Sequence, residues 1–296
     1  MKFSKNNIFA ISTLRYIVSH PNCKDKKIQS VLKFIGWQFY KRLVGKCLDI
    51  NLLKDVKLRC YPDSYSASAA IYCGLYDYHE MNFLLRYLRG EDSFLDIGAN
   101  IGVYTILAAS KITSGPIYSF EVLPKNYARL EENLKINHLQ QVKIYSLAVS
   151  NFTGTTALHL ADGDSMSFIT TEATDNTVVV PTDTLDNLLQ HESLNNLTLA
   201  KIDIEGAELL ALKGATSLLQ KQLPQVWIME INDSVNNFAY QKEDLINFLQ
   251  DYGYGLYQYN ADTNQIIPIA LNQQKGNNVL VIANSLLDFV RDRLNS

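Results

Sequence analysis

The sequence predicts a doubly wound α/β fold with a mostly parallel sheet, and three features carry that expectation. Short apolar runs alternate with helical patterns from Ser93 onward. The first run ends in a glycine-rich turn, Gly98 to Gly102, that opens directly into a helical pattern. Acidic residues sit at the ends of successive runs, at Asp96, Glu121, Asp203 and Glu230.

The predicted strands are Phe94–Ile97, Ile117–Val122, Val142–Val149, Leu197–Ile204 and Val226–Ile231. Helical spacing occupies Gly102–Lys111, Lys125–Asn137, Glu208–Leu219 and Lys242–Asp251. Upstream, residues 1–47 read as helix broken at Pro21 and Asn22, residues 48–75 as short strands and turns, and residues 78–89 as a helix stopped at Gly90. Residues 152–182 interrupt the rhythm with small strands at Ala157–Leu160, Met166–Ile169 and Val178–Val180. They predict an inserted β-hairpin above the sheet, placed to act as a lid or substrate wall. Gly255–Tyr259, Gln265–Ile269 and Val279–Ile282 read as antiparallel strands finishing the sheet. The chain thus divides into an N-terminal basic helical extension, residues 1–70, and an α/β domain, residues 71–296.

The 296 residues are 47% hydrophobic and 19% charged, an ordinary balance for a chain with a sizeable core. Net charge is −3, but it is unevenly spread. Residues 1–60 hold 13 Lys and Arg against three Asp and Glu, whereas residues 61–296 hold 14 against 27. A basic arm on an acidic body is either a solvated helical face or a contact for anionic lipid or a polyanionic glycan. In the second amphipathic stretch Ile28, Val31, Leu32, Ile35 and Phe39 alternate with Lys26, Lys27, Lys33, Lys41 and Arg42. Such a helix can lie on a membrane surface or pack on its own domain. The cysteines at 23, 47, 60 and 73 form no C-x-x-C pair, so neither a zinc site nor a disulfide framework is expected. No run reaches the roughly 18 apolar residues of a membrane span. The chain is read as cytoplasmic, with peripheral membrane contact through its N-terminus as an option.

The most informative segment is FLDIGANIGVYT, Phe94 to Thr105. A buried strand ends at Asp96, turns through Gly98, Ala99, Asn100, Ile101 and Gly102, and enters a helix. Glycines permit the tight turn and a close approach of backbone to ligand. A phosphate-binding P-loop would need a lysine that is absent here. A dinucleotide site would use G-x-G-x-x-G, and the spacing is G-x-x-x-G. The charge of Asp96 would also repel a pyrophosphate, by about 1 kcal/mol at about 4 Å in water and by more where partly buried. It would attract the ammonium and sulfonium of S-adenosylmethionine. Glu121 ends the second strand 25 residues after Asp96, where an acid accepts hydrogen bonds from ribose hydroxyls. Asn137, at the exit of the following helix, reads equally as a cap and as a cofactor contact. In LAKIDIEGAE a third strand delivers Lys201, Asp203 and Glu205 on alternate positions. So many charges at one strand end are costly unless they bind something. A helix cap accounts for Glu205 or Glu208 but not for the whole set. Glu230 points to the same rim.

FLDIGANIGVYT, SFEVLP, LEENLKIN, SLAVS, PTDTLDNLL, KIDIEGAELLALKGA and WIMEIND, in this order, resemble the FkbM family of S-adenosylmethionine-dependent methyltransferases. The resemblance spans roughly Tyr72 to Ile231, with YCGLYDYHEM resembling the family's lead-in. It implies a class I, Rossmann-like methyltransferase fold and methylation of a hydroxyl, often on a sugar or polyketide. Carried onto this chain, it implies that Asp96, Gly98, Ala99, Asn100 and Gly102 line the methionine end of the cofactor. Glu121 would bind the ribose, the loop at Ala148 would face adenine, and Asp203 would lie near the methyl group.

Methyl transfer to an alcohol gains most from positioning, and a nearby base helps remove the hydroxyl proton. The expected base is Asp203, with Glu205 or Glu230 orienting the acceptor; alternatively Asp203 holds the cofactor and a histidine takes the proton. The five histidines show no metal-ligand spacing, and His159 on the inserted hairpin is the one nearest the expected site. Clustered acids can hold Mg²⁺, but no metal is expected. The leading expectation is an O-methyltransferase acting on a sugar, glycan or glycoconjugate, with no nucleic-acid partner. A methyltransferase on a polyketide, lipid or amine, a non-catalytic cofactor-binding protein, and a dehydrogenase are the alternatives.

Overall fold

The computed structural model describes residues 5–159, 168–170, 177–190, 192 and 197–296. Two helices open the chain, α1 (Lys5–Ser19) and α2 (Lys27–Leu43). Pro21 separates them in a short turn, and the His20 ring caps that turn by accepting a hydrogen bond from the Asn22 amide. Strands β1 (Leu48–Leu53) and β2 (Val56–Cys60) form an antiparallel hairpin. Helix α3 (Tyr65–Cys73) follows where strands and turns are expected from sequence. The Ser64 hydroxyl caps it, accepting from the Ala67 amide at 3.1 Å. Helix α4 (Tyr78–Tyr87) then leads into the sheet.

The central sheet starts with β3 (Ser93–Ile97), α5 (Val103–Ala109), β4 (Ile117–Phe120), α6 (Pro124–Ile136) and β5 (Lys143–Tyr145). Where one strand is expected over Val142–Val149, the chain leaves the sheet after β5. Strand β6 (Ala148–Val149) joins a second sheet with β7 (Gly154–His159), β8 (Phe168–Thr170) and β9 (Thr177–Asp183), in the order β6-β9-β7-β8. The insert is therefore more than a hairpin: β7 pairs antiparallel with both β8 and β9, and β6 runs parallel to β9. Of the expected insert strands, Leu160 and Met166 lie outside the described residues. Helix α7 (Leu185–Leu189) returns the chain to β10 (Leu197–Ile202). The expected helix over Glu208–Leu219 is two helices, α8 (Glu208–Lys213) and α9 (Thr216–Gln220). They break at Gly214, where any Cβ would stand 2.0 Å from the Ser150 carbonyl oxygen. The fold ends with β11 (Val226–Glu230), α10 (Lys242–Asp251), β12 (Tyr254–Asn260), β13 (Gln265–Pro268), β14 (Asn278–Ala283) and α11 (Leu287–Asn295), a helix that the sequence reading did not anticipate.

The eight strands lie in the order β13-β12-β14-β11-β10-β3-β4-β5. Strands β11, β10, β3, β4 and β5 are parallel, and β14, β12 and β13 are antiparallel additions at one side, as the tail pattern predicts. The chain moves outward from β3 to β5 and then returns to β10 on the other side of β3. That reversal opens a crevice at the carboxyl ends of β3 and β10, where ligands bind in such sheets. Both faces of the parallel strands are covered. Phe94, Leu199 and Ile228 pack with Leu84, Ile106 and Leu130 of α4, α5 and α6. Leu95, Trp227 and Met229 pack with Leu209, Leu218 and Leu245 of α8, α9 and α10.

The N-terminal region is continuous with the first of these cores. Ile17, Phe34, Trp37 and Leu58 belong to it, and the Trp37 indole donates to the Ser68 hydroxyl at 2.9 Å. Asn137 is the C-cap of α6, one of the two readings of it, and its side chain pairs with the edge of β2, accepting from the Lys57 amide at 2.8 Å and donating to the Lys57 carbonyl at 2.7 Å. No helix among the described residues is long and apolar enough to cross a membrane.

Helix α11 is pinned by Arg293, which pairs with the buried Asp92 and donates to the Tyr87 carbonyl at 2.8 Å. Asp92 also accepts from the Thr198 hydroxyl at 3.1 Å, which links α11 to β10. Arg293→Ala leaves that carboxylate buried and unpaired, so urea denaturation is expected to show a loss of about 3–5 kcal/mol. A loss below about 1 kcal/mol would place the pair in effective contact with water.

Candidate active site

A cavity of about 450 Å³ opens at the carboxyl ends of β3, β4, β10 and β11. The turn after β3 forms its floor. Gly98 is in the left-handed region (φ 82°), and a Cβ there would lie 1.9 Å from the Asp203 carbonyl oxygen. Glycine is therefore required both by conformation and by the approach of β10. Asn100 is also left-handed (φ 53°), which aims its amide at Glu121. The Glu121 carboxylate accepts from the amides of Asn100 and Leu123, each at 2.7 Å. Burial pushes it up to about 7, against the pull of those two hydrogen bonds. Asp96 is buried beneath the turn and accepts from the Thr105 hydroxyl at 2.5 Å. Burial raises it to about 6, with Thr105 and Lys201 opposing.

Asp96, Gly98, Ala99, Asn100, Glu121 and Ala148 all line the cavity. Gly102 is a correction, since it is absent from the lining. It is left-handed at φ 85°, and a Cβ there would meet Leu130 at 2.4 Å. Its glycine serves the packing of α6 against the start of α5. Ala148 lies with Leu147, Val149 and Leu158 on an apolar wall supplied by the second sheet and the bend leading to it. The alternation of β7 puts Leu158 on the cavity side, while its neighbour His159 is not a lining residue. His191 lies outside the described residues.

The other half of the cavity holds the charges. Lys201 is almost completely buried, and its Nζ lies 2.7 Å from Asp203 Oδ2 and 4.8 Å from the centre of the Tyr104 ring. Burial would lower the lysine, but the charges of Asp203, Asp77 and Asp96 hold it above its ordinary value. Burial likewise opposes ionisation of Asp203, yet Lys201 keeps it below the usual carboxylate range. Glu230 shares a hydrogen bond with Asp203, and burial together with the Asp203 charge pushes it up to about 9. Glu205, left-handed at φ 54°, is raised to about 7 by burial and then by Asp203 and Glu208. Asp203, Glu205 and Glu230 are thus brought together as the sequence predicts, in three different protonation environments. Glu208 is the structural cap: buried outside the cavity lining, it accepts from the amides of Ile204 and Gly206 at 3.0 and 3.3 Å.

Tyr76, Asp77, Tyr104, Asn277 and Asn278 also line the site, and the sequence reading assigned them no role. The Tyr104 hydroxyl donates to Asp77 at 2.9 Å, and Asn278 Oδ1 is a buried acceptor with no protein partner. Asp77 falls in the lead-in segment YCGLYDYHEM, which is the available signal; Asn277 and Asn278 lie 47 and 48 residues beyond Glu230 and carry none. The structure also gathers His20, Cys23 and Cys73, buried and within 4.8 Å of one another. Backbone groups engage both His20 nitrogens, from Tyr76 and Asn22, so this cluster is satisfied as a packed corner.

The Methyltransferase FkbM domain matches residues 96–256 of this chain. The chain belongs to the FkbM methyltransferase family. It is a methyltransferase whose methyl donor is S-adenosylmethionine. Methyltransferase 1 of Beauveria bassiana (strain ARSEF 2860) is 24% identical over 174 residues, which cover 51% of this chain and 70% of that protein. An rRNA methylase from Streptococcus thermophilus aligns over 68% of this chain and 91% of its own, at 13% identity and a TM-score of 0.40. A SAM-dependent methyltransferase from Agrobacterium tumefaciens aligns over 81% and 71%, at 8% identity and a TM-score of 0.40. Likeness at that distance says nothing about the acceptor.

The side chains present fit the donor. Among the described residues, the lining offers the carboxyl groups of Asp77, Asp96, Glu121, Asp203, Glu205 and Glu230 against the single cation Lys201. That excess suits a ligand bearing an ammonium and a sulfonium. Glu121→Ala is expected to weaken S-adenosylmethionine binding at least tenfold, since a hydrogen bond to a charged group contributes about 1.5–3 kcal/mol. Titration calorimetry reads this directly, and a change below threefold would remove Glu121 from the ribose contact.

Proposed function

We propose that this FkbM methyltransferase methylates a hydroxyl oxygen of a sugar, glycan or glycoconjugate. The observation that carries the reading is the trio of carboxyl groups lining one cavity at the strand ends: Lys201, 2.7 Å from Asp203, favours its ionised form, while burial raises Glu205 to about 7 and Glu230 to about 9. A carboxyl group poised near pH 7 is the useful base for an alcohol, because it is both available and basic enough to take the proton. Asp203, expected from sequence to be that base, is the weakest base of the three, because Lys201 stabilises its charged form. Its role is to hold Lys201 and orient the acceptor.

Bound S-adenosylmethionine supplies an electrophilic methyl carbon on a sulfur leaving group. Asp96, Gly98, Ala99 and Asn100 would border its methionine end, Glu121 its ribose, and the wall at Ala148 its adenine. Glu205 would take the acceptor's hydroxyl proton and so ready its oxygen for the methyl group that the donor supplies. Glu230, protonated, donates to Asp203, and the open acceptor on Asn278 offers a partner to a second hydroxyl of the substrate. Hydrogen-bonding side chains from four segments favour a polyhydroxylated acceptor over a hydrocarbon one. The surplus of acids in residues 61–296 disfavours a nucleic acid, whose phosphates need cationic partners.

Release of S-adenosylhomocysteine in the presence of oligosaccharides and nucleotide sugars, but not with RNA or fatty alcohols, is the expected outcome. Turnover confined to RNA or fatty alcohols would overturn the acceptor class. With S-adenosylmethionine saturating, kcat/KM for the acceptor is expected to rise with pH through about 7, as Glu205 ionises, and to fall above about 9, as Glu230 loses its proton. Glu205→Gln should abolish the rising limb and lower kcat/KM by about 10²–10⁴-fold. A rising limb that survives in Glu205→Gln would assign the proton transfer to another group.

A further inference from the structure

Helix α2 leaves a continuous apolar stripe uncovered. Ile28, Leu32, Ile35, Phe39 and Leu43 recur at helical spacing and are 80%, 61%, 43%, 59% and 81% exposed. At roughly 100° per residue they occupy about 80° of the helix circumference. Ser30, Phe34 and Trp37 are buried on the opposite side against the domain. The stripe is therefore not the face by which the helix packs, even though amphipathicity alone would suggest that it is. Nine of the fifteen exposed large apolar side chains among the described residues lie between Ile11 and Val44, so the feature is local to this arm.

Charge identifies the occupant. The exposed side chains of Lys24, Lys26, Lys27, Lys33, Arg42 and Lys46 surround the stripe, and Asp25 is the single acid in the stretch from residue 24 to 46. The remainder of the chain, residues 61–296, carries 27 acids against 14 bases. An anionic surface would attract the arm and repel the body, which sets one orientation. Pairing of two copies through this stripe would instead bring two basic faces together.

We propose that α2 lies in the headgroup region of an anionic lipid bilayer, with Leu32, Phe39 and Leu43 inserted and the flanking lysines and Arg42 on the lipid phosphates. A helix with an apolar stripe, a basic surround and no membrane-crossing length binds in this in-plane manner. The inference does not depend on the identity of the methyl acceptor.

Flotation of the full chain with vesicles of phosphatidylcholine alone, and of phosphatidylcholine with phosphatidylglycerol, tests it. Binding is expected to the anionic vesicles, to fall as salt is raised, and to drop by roughly tenfold or more in the triple variant Leu32→Ser, Phe39→Ser, Leu43→Ser. Val179→Ser, which removes an equally exposed apolar side chain elsewhere, should bind as the parent does. Unchanged S-adenosylmethionine affinity in the triple variant verifies that it is folded. Should it misfold, Phe39→Trp reports independently through a blue shift of its emission on adding anionic vesicles. Equal binding to both vesicle types, full binding by the triple variant, or no shift from Phe39→Trp would each overturn the proposal. So would sedimentation showing that the stripe mediates self-association without vesicle binding.

Discussion

Lys201 is the single cation among the described residues lining a cavity that six carboxyl groups share, and its place on the central strand β10 decides how those groups behave. An amine this buried is tolerable because Asp203 stands 2.7 Å away and Asp77 and Asp96 add to the field. In return, Asp203 remains charged where burial would otherwise neutralise it. Burial, together with that fixed negative charge, then raises its neighbours: Glu230 to about 9 and Glu205 to about 7. Burial and one ion pair thus separate three neighbouring carboxyl groups into an ionised one, a protonated one and one near neutrality. A site of this kind can hold cationic sulfur and remove a proton within the same small volume.

Backbone geometry places that pair against the glycine turn after β3. Gly98 lets β3 and β10 approach until the Asp203 carbonyl occupies the space a side chain would need. Asn100, turned left-handed, brings its amide to Glu121 and so joins the ends of β3 and β4. The departure of β6 from the main sheet supplies the remaining wall, since Ala148, Val149 and Leu158 reach the cavity only because the second sheet stands beside it. The apolar wall and the charged rim therefore come from different sheets. This matches a ligand with an aromatic base at one end and charge at the other.

The N-terminal arm shows the same economy of faces. Its packed side is part of the domain core through Phe34 and Trp37, which holds the helix rigidly in place. Its uncovered side is free for a partner because folding has no use for it.

Much of this was legible in the sequence. The βα rhythm, the glycine turn, the acids closing β3, β4, β10 and β11, and the antiparallel tail all follow from local patterns: apolar periodicity, and the special conformations that glycine allows. Asp96, Glu121, Asp203, Glu205 and Glu230, which all line the cavity, stand out in the sequence because charges at the ends of buried strands have few structural uses. Tertiary structure alone decided the rest. Gly102 and Asn137 proved to be packing and strand-edge residues, and α2 buries Phe34 and Trp37 rather than its longer apolar stripe. Asn277 and Asn278 reach the site because β14 pairs with β11 and sets Asn278 opposite Glu230, and Asp203 pairs with Lys201. Sequence specifies which residue types recur at which spacing; proximity, burial and hence proton affinity depend on what the folded chain brings alongside.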